Sequence, residues 1–261
     1  MDALARWTEV VGRPEAEVAL DEAALLISAA GQPGLDVAGQ LARLDGVASR
    51  VADPTADAVI DVVFGQLGLR GDRETYDDPA NSFLDRVLDR GVGIPITLSV
   101  LLIEVGRRRG VRLEAVGMPG HFLARDPARP SELIDAFDGG RRLDRRACER
   151  LLRTVSGPGA SLTPEMLATT GTHGVLARML ANLDRSYEAR GDRRALGWVS
   201  DLRAALPGTT VGDRVRLAAR LGALGRFREA AALLEAAAGS VPERAAERLR
   251  REALGLRARL N

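Results

Sequence analysis

The hydrophobic pattern of this chain changes period once, in the middle, and then changes back. In DEAALLISAA (Asp21 to Ala30), LDVAGQLARLDGVASRVA (Leu35 to Ala52) and ADAVIDVVFGQLGL (Ala56 to Leu69), apolar residues recur at the spacing of one helix face. Pro33-Gly34 separates the first two segments as a turn. From about Tyr76 to Thr154 the character shifts. DDPANSFLDRVLDRG opens on Asp77, Asp78, Pro79 and Asn81, all helix-start residues, and stops at Gly91. GVGIPITLSVLLIEVGRRRG places Pro95 in a first helical turn and ends on three arginines before Gly110, as a helix C-terminus favours. VRLEAVGMPGHFLARD and SELIDAF then read as two strands, and from about Thr172 the helical period returns.

The last third echoes itself. EARGDRRALGWVSDLRAALP ends at Pro207 and GALGRFREAAALLEAAAGSVP at Pro242; Gly191 and Gly225 lie 34 residues apart. A 34-residue period with Gly between helices and Pro after the second predicts tetratricopeptide-like repeats. Leu221, Gly222, Phe227, Ala230 and Pro242 fit that pattern better than the first copy does. Two such repeats rarely fold alone, so they are expected to pack on the middle region.

Composition narrows the chemistry. The 37 basic residues, every one an arginine, nearly cancel 36 acidic ones, leaving a formal charge of +1, which argues against a general polyanion binder. With no lysine, a Schiff-base lysine and a phosphate-loop lysine are excluded. Two histidines and one cysteine, far apart, do not make a zinc site of the usual spacing, and no metal or other cofactor is expected. Aromatic residues make up 3%, too few for nucleic-acid base stacking to be expected. No apolar run approaches the roughly 20 residues that span a bilayer. The segment MDALARWTEVVGRPE does not read as a signal peptide, and a single cysteine fits a reducing compartment, so a cytoplasmic protein is expected.

The two strands permit a geometric expectation. The break Asp126-Pro127-Ala128-Arg129-Pro130 is centred on Ala128, and a hairpin centred there pairs His121 with Asp135. A one-residue shift of the centre turns them into diagonal neighbours. A ring nitrogen bonded to a carboxylate serves a base, or it satisfies a core histidine; the residues leave both readings open. Gly117, Pro119 and Gly120 before His121 form a strand-entry turn or a pocket wall.

NSFLDRVLDRGVGIPITLSVLLIEVGRRRGVRLEAVGMPGHFLAR, followed by LIDAFDGG, resembles the bacterial Sir-B family of transglutaminase-like proteins, and the resemblance covers nearly the whole chain. It implies an α+β fold: N-terminal helices over 1–75, a papain/transglutaminase-like core with an antiparallel sheet over 76–157, and C-terminal all-α tetratricopeptide-like repeats over 172–261. Eukaryotic relatives join the same core to an F-box. Active transglutaminase-like enzymes use a Cys at the start of the central helix, a His base and an Asp that orients it. His121 and Asp135 match the last two, but the cysteine position falls on Pro95. Ser99, one turn along the helix, is a weak substitute.

Cys148 sits in RRLDRRACERLLRTV, which reads as an amphipathic helix carrying Leu143, Ala147, Leu151 and Leu152; the thiol is expected as a small buried residue. In the same segment Arg142, Arg146, Arg150 and Arg153 recur at helical spacing, a solvated basic stripe or a surface for an acidic partner. His173 is expected in a loop or at a helix start. The reading that follows is a non-catalytic interaction protein with a protein or peptide partner. The alternative is an amide or ester hydrolase using His121 and Asp135 as base and orienter. A regulator binding a small anion rests only on arginine density.

Overall fold

The structure, a computed structural model, describes residues 3–259. Its centre is the helix α6 (Pro95–Arg108), buried at every residue from Pro95 to Gly106. A helix this apolar on all sides belongs in the middle of a domain, with partners around it. Pro95 opens it at a position that needs no N–H. Gly110, at φ 74°, turns the chain away after the arginines, and the Val111 N–H donates to Gly106 O.

Helices α2 (Leu20–Gly31), α3 (Val37–Ala48) and α4 (Ala56–Ile60), which continues as a π-helical turn over Asp61–Gln66, wrap α6, and α1 (Ala3–Val11) packs on α2. Trp7, Leu25, Ile27, Leu44 and Val59 share one apolar cluster with Leu98, Leu101 and Leu102 of α6. Polar clamps fix this wrapping: Arg108 donates to Asp21 of α2 at 2.5 Å and to Asp45 of α3 at 2.7 Å. Trp7 Nε1 donates to Leu202 O at 3.0 Å, tying the first helix to the C-terminal third. A two-residue parallel ladder, β1 (Arg70–Gly71) with β2 (Val92–Gly93), flanks α5 (Leu84–Arg90).

The sheet is an antiparallel meander of β3 (Glu114–Val116), β4 (Leu123–Arg125), β5 (Leu133–Asp135) and β6 (Arg141–Leu143), in that order. It corrects the expected strand pattern in two places. Residues 111–126 are not one strand: the chain folds back between β3 and β4, with Gly120 at φ 69°. The β4–β5 register pairs Ala124 with Ile134 and Arg125 with Leu133, so Asp135 is in line with Leu123 and not with His121. The connection explains the shift. It contains two successive turns, Arg129 N–H to Asp126 O and Glu132 N–H to Arg129 O, which move its centre to Arg129.

Alternation along the strands divides the apolar residues between two clusters. Ala115, Ala124 and Ile134 join the α6 cluster, while Val116, Leu123, Leu133 and Leu143 form a second cluster with Cys148 and Leu152 of α7 (Arg145–Ser156). The expected helix over residues 141–155 thus starts later than its spacing suggested. Asp144 caps α7 by accepting from Ala147 N–H, so Arg142 and Leu143 precede the helix and lie on β6.

Beyond α7 come α8 (Thr172–Ala189), α9 (Arg193–Ala205), α10 (Val211–Ala223), α11 (Phe227–Ala238) and α12 (Glu243–Ala258). Gly191 (φ 65°) and Gly225 (φ 83°) turn α8 into α9 and α10 into α11, the same left-handed geometry at the two equivalent points of the sequence echo. Packing separates the two hairpins. Val175, Leu176, Met179, Leu180 and Val199 belong to the main core, whereas α10 to α12 build their own alanine-rich cluster around Ala230, Ala231 and Leu234.

Candidate functional site

His121 ends the turn between β3 and β4, and Asp135 ends β5. Although the register makes them diagonal neighbours, the side chains meet: His121 Nε2 lies 2.9 Å from Asp135 Oδ1. Both are buried, at 7% and 2% exposure. Asp135 is itself fixed, because Oδ1 also accepts from Phe137 N–H at 3.1 Å. The ring of Phe137 stands edge-on to the imidazole, with centroids 6.1 Å apart. Bonding through Nε2 leaves His121 Nδ1 without a hydrogen bond among the described residues.

His121, with Asp135 behind it, borders a cleft of about 350 Å³. Pro95 and Ile96, at the start of α6, line it together with the Pro119-Gly120-His121-Phe122 turn. Gly117 and Pro119 therefore take part in a turn between strands, and Pro119 and Gly120 are also cleft wall. Tyr76 and one face of α8, carrying Arg178, Asn182 and Arg185, complete the lining. Arg178 holds the turn in place: Nη2 donates to Met118 O at 3.0 Å and to His121 O at 2.9 Å. Its guanidinium stacks 5.2 Å from the Phe122 ring centroid. Burial first, and then the neighbouring Arg185 charge, push the Arg178 guanidinium below its ordinary value.

The candidates for a nucleophile, Ser99 and Cys148, lie off the cleft. Pro95 is buried at the first turn of α6, where no side-chain cap covers the helix end. Ser99 is fully buried, its Oγ has no hydrogen-bond partner, and it does not line the cleft. Cys148, as expected, is a buried apolar residue, set in the α7 cluster; burial, and behind it the charges of Asp144 and Asp135, push its thiol up to about 11. Among the described residues, no group of three or more His, Cys, Asp or Glu is placed to hold a metal ion.

The arginines of the expected stripe separate. Arg142 lies on β6 and is engaged within the chain, with Nη2 2.6 Å from Asp57 Oδ1 and Nη1 3.5 Å from Glu132 Oε2. Arg146 and Arg150 are exposed on α7. Arg153 is exposed there too, so the stripe that sequence spacing drew through all four is corrected at Arg142. His173 lies in the first turn of α8, where its N–H donates to Glu15 Oε1 and its Nε2 is 3.1 Å from Val11 O. Sequence reasoning missed the α8 wall. Its signal was the spacing of Arg178, Asn182 and Arg185, four and then three residues apart, but nothing local ties that face to a histidine 57 residues away.

A family model described as the transglutaminase-like superfamily matches residues 29–181, more than half of the chain. The chain belongs to that superfamily. Among curated proteins it is similar to the UPF0162 protein of Xylella fastidiosa, 39% identical over 144 residues, which are 53% of this chain and 51% of that protein. The UPF0162 protein of Pseudomonas aeruginosa is 30% identical over 182 residues, 67% of each chain. F-box only protein 21 of Mus musculus is 34% identical over 154 residues, 52% of this chain and 24% of that protein. The matched region is therefore about half of the Xylella relative and about a quarter of the mouse one. No helix among the described residues is long and apolar enough to cross a membrane.

Proposed function

We propose that this chain is a Sir-B-type transglutaminase-like protein that binds a peptide or protein segment without cleaving it. The observation that carries the reading is Pro95 at the start of α6, on the same cleft as His121, which Asp135 holds. A general base accelerates acyl transfer by taking a proton from a nucleophile within hydrogen-bond reach. Proline has no such proton, Ser99 is off the cleft, and the Cys148 thiol is behind the sheet. What remains is a shaped cleft with an oriented imidazole, able to hydrogen-bond a segment laid across it. We assign α8 to α11 to tetratricopeptide-like hairpins that extend the binding surface, and we place the protein in the cytoplasm, where its lone thiol fits.

The test is turnover. The protein is incubated with a glutamine-containing peptide plus a primary amine, with peptide amides and with activated esters, beside His121→Ala. The reading predicts no turnover above that of the variant. A chain ending after Gly208 keeps the main core cluster and removes α10 to α12. Loss of a co-purifying partner from that chain supports the repeat assignment, and retention contradicts it.

A second reading has one observation in its favour: His121 Nδ1 is unengaged beside an open cleft, as a base acting on water requires. His121-dependent ester or amide hydrolysis in the same experiment would establish it in place of the first.

A further inference from the structure

We infer that the cleft receives a carboxylate group of a peptide, held by Arg178 and Arg185 of α8. The inference rests on the reading of the cleft as a binding site, and it names what binds there. Its starting point is an imbalance of charge. No acidic side chain lines the cleft, and neither Arg178 nor Arg185 forms an ion pair among the described residues. Several other partly buried arginines of this chain meet acids: Arg108 meets Asp21, Arg203 and Arg220 meet Asp184, and Arg90 meets Asp72 and Asp78. Withdrawing a guanidinium from water costs free energy unless a counter-charge accompanies it, and a like charge nearby adds to that cost. An anion in the cleft removes both penalties.

The donors are arranged to receive one. Arg178 is anchored through Nη2 to two carbonyls and stacked on Phe122, with Nη1 against Gly117, so the guanidinium is fixed in direction, and among the described residues its Nε has no hydrogen bond. Little side-chain entropy remains to be lost on binding. Arg185 donates to Asn182 Oδ1, which leaves the amide Nδ2 of Asn182 as a further donor on the same helix face. A planar guanidinium matches a carboxylate through paired hydrogen bonds. Ile96 and Phe122 also border the cleft, each almost fully buried, so the apolar contact open to a bound group is narrow and suits a small aliphatic side chain. The volume is near the lower end for ligand pockets, which suits a short stretch of peptide. The carboxylate is either a chain terminus or an Asp or Glu side chain.

Isothermal titration of the full chain distinguishes these with three probes: acetyl-Ala-Leu-Ala as the free acid, the same peptide as its C-terminal amide, and acetyl-Ala-Glu-Ala amide. Recognition of a carboxylate predicts that the free acid, the Glu peptide or both bind more tightly than the amide by on the order of tenfold. Free-acid binding assigns the group to a chain end, and Glu-peptide binding assigns it to a side chain. Arg185→Gln, at an exposed position, should weaken that binding about fivefold with the circular dichroism spectrum unchanged. Arg178→Lys should weaken it as well, because a point charge replaces the planar fork. The inference is overturned if all three probes bind alike, if none binds, or if inorganic phosphate displaces the peptide at equal concentration. Mass spectrometry of the recovered probes separates the two proposals: cleaved probe removes the non-catalytic reading and leaves carboxylate recognition standing.

Discussion

The cleft and the layer behind the sheet are built from the same four strands, yet they are chemically unlike. Behind the sheet, Val116, Leu123, Leu133 and Leu143 close over Cys148 and Leu152, and the one thiol of the chain is an apolar filler there. At the cleft, the turn between β3 and β4 delivers His121, held by Asp135 from β5, and α8 adds two guanidinium groups. The imidazole and the thiol are thus both present but separated, and it is a proline that borders the cleft with the imidazole. Reactivity is set by where the fold delivers a group and not by whether the sequence contains it.

The comparison breaks most readily behind the sheet. Leu133→Ala removes a side chain that is 3% exposed in that layer, and a loss of about 3 kcal/mol in urea unfolding is expected. The effect should be on stability alone, with the cleft unaltered in the titrations above. At the cleft, Asp135→Ala strips the imidazole of its partner and leaves the Phe137 N–H unpaired, at a cost of about 2 kcal/mol. Unlike Leu133→Ala, it should also change the chemical shifts of the His121 ring, because the orientation of that ring depends on the carboxylate.

Acid should separate the two regions next. Asp72 anchors the turn that carries Tyr76 to the cleft. Its burial works to raise the carboxyl, but hydrogen bonds from Thr75, Asn81 and Glu74 outweigh burial and hold it at about 2. A carboxyl depressed in the folded state stabilises in full above its unfolded value of about 4, and that contribution is lost as pH falls through the folded value. The stability advantage of the wild type over Asp72→Asn should therefore shrink between about pH 4 and pH 2. An advantage unchanged across that window would remove Asp72 as the anchor. The smallest effect belongs to α7's outer face: Arg150→Glu, at an exposed position, should change stability by less than about 0.5 kcal/mol.

How much of this could be read from the sequence follows from how far apart the determining residues are. Helix α6 was legible from Pro95 to Gly110, because apolar run, first-turn proline and stop signal are all local. The His121–Asp135 contact was legible too, even with the hairpin centre one residue off, because diagonal neighbours on a sheet remain within side-chain reach. Arg142 was misplaced because helical spacing counts residues without seeing that Asp144 starts the helix. The α8 wall was not legible: Arg178 reaches the His121 carbonyl across 57 residues of chain, and only the packing of α8 against the core brings it there.

The central claim is that Pro95 stands where a nucleophile would face His121. Pro95→Cys tests it through the pH dependence of iodoacetamide labelling, with the native Cys148 thiol, pushed up to about 11, contributing little near neutral pH. A cysteine at the uncapped start of α6 beside His121 should titrate below the ordinary thiol value of about 8.5, and His121→Ala in the same chain should raise it again. A thiol that titrates at or above that value, indifferent to His121, would contradict the account.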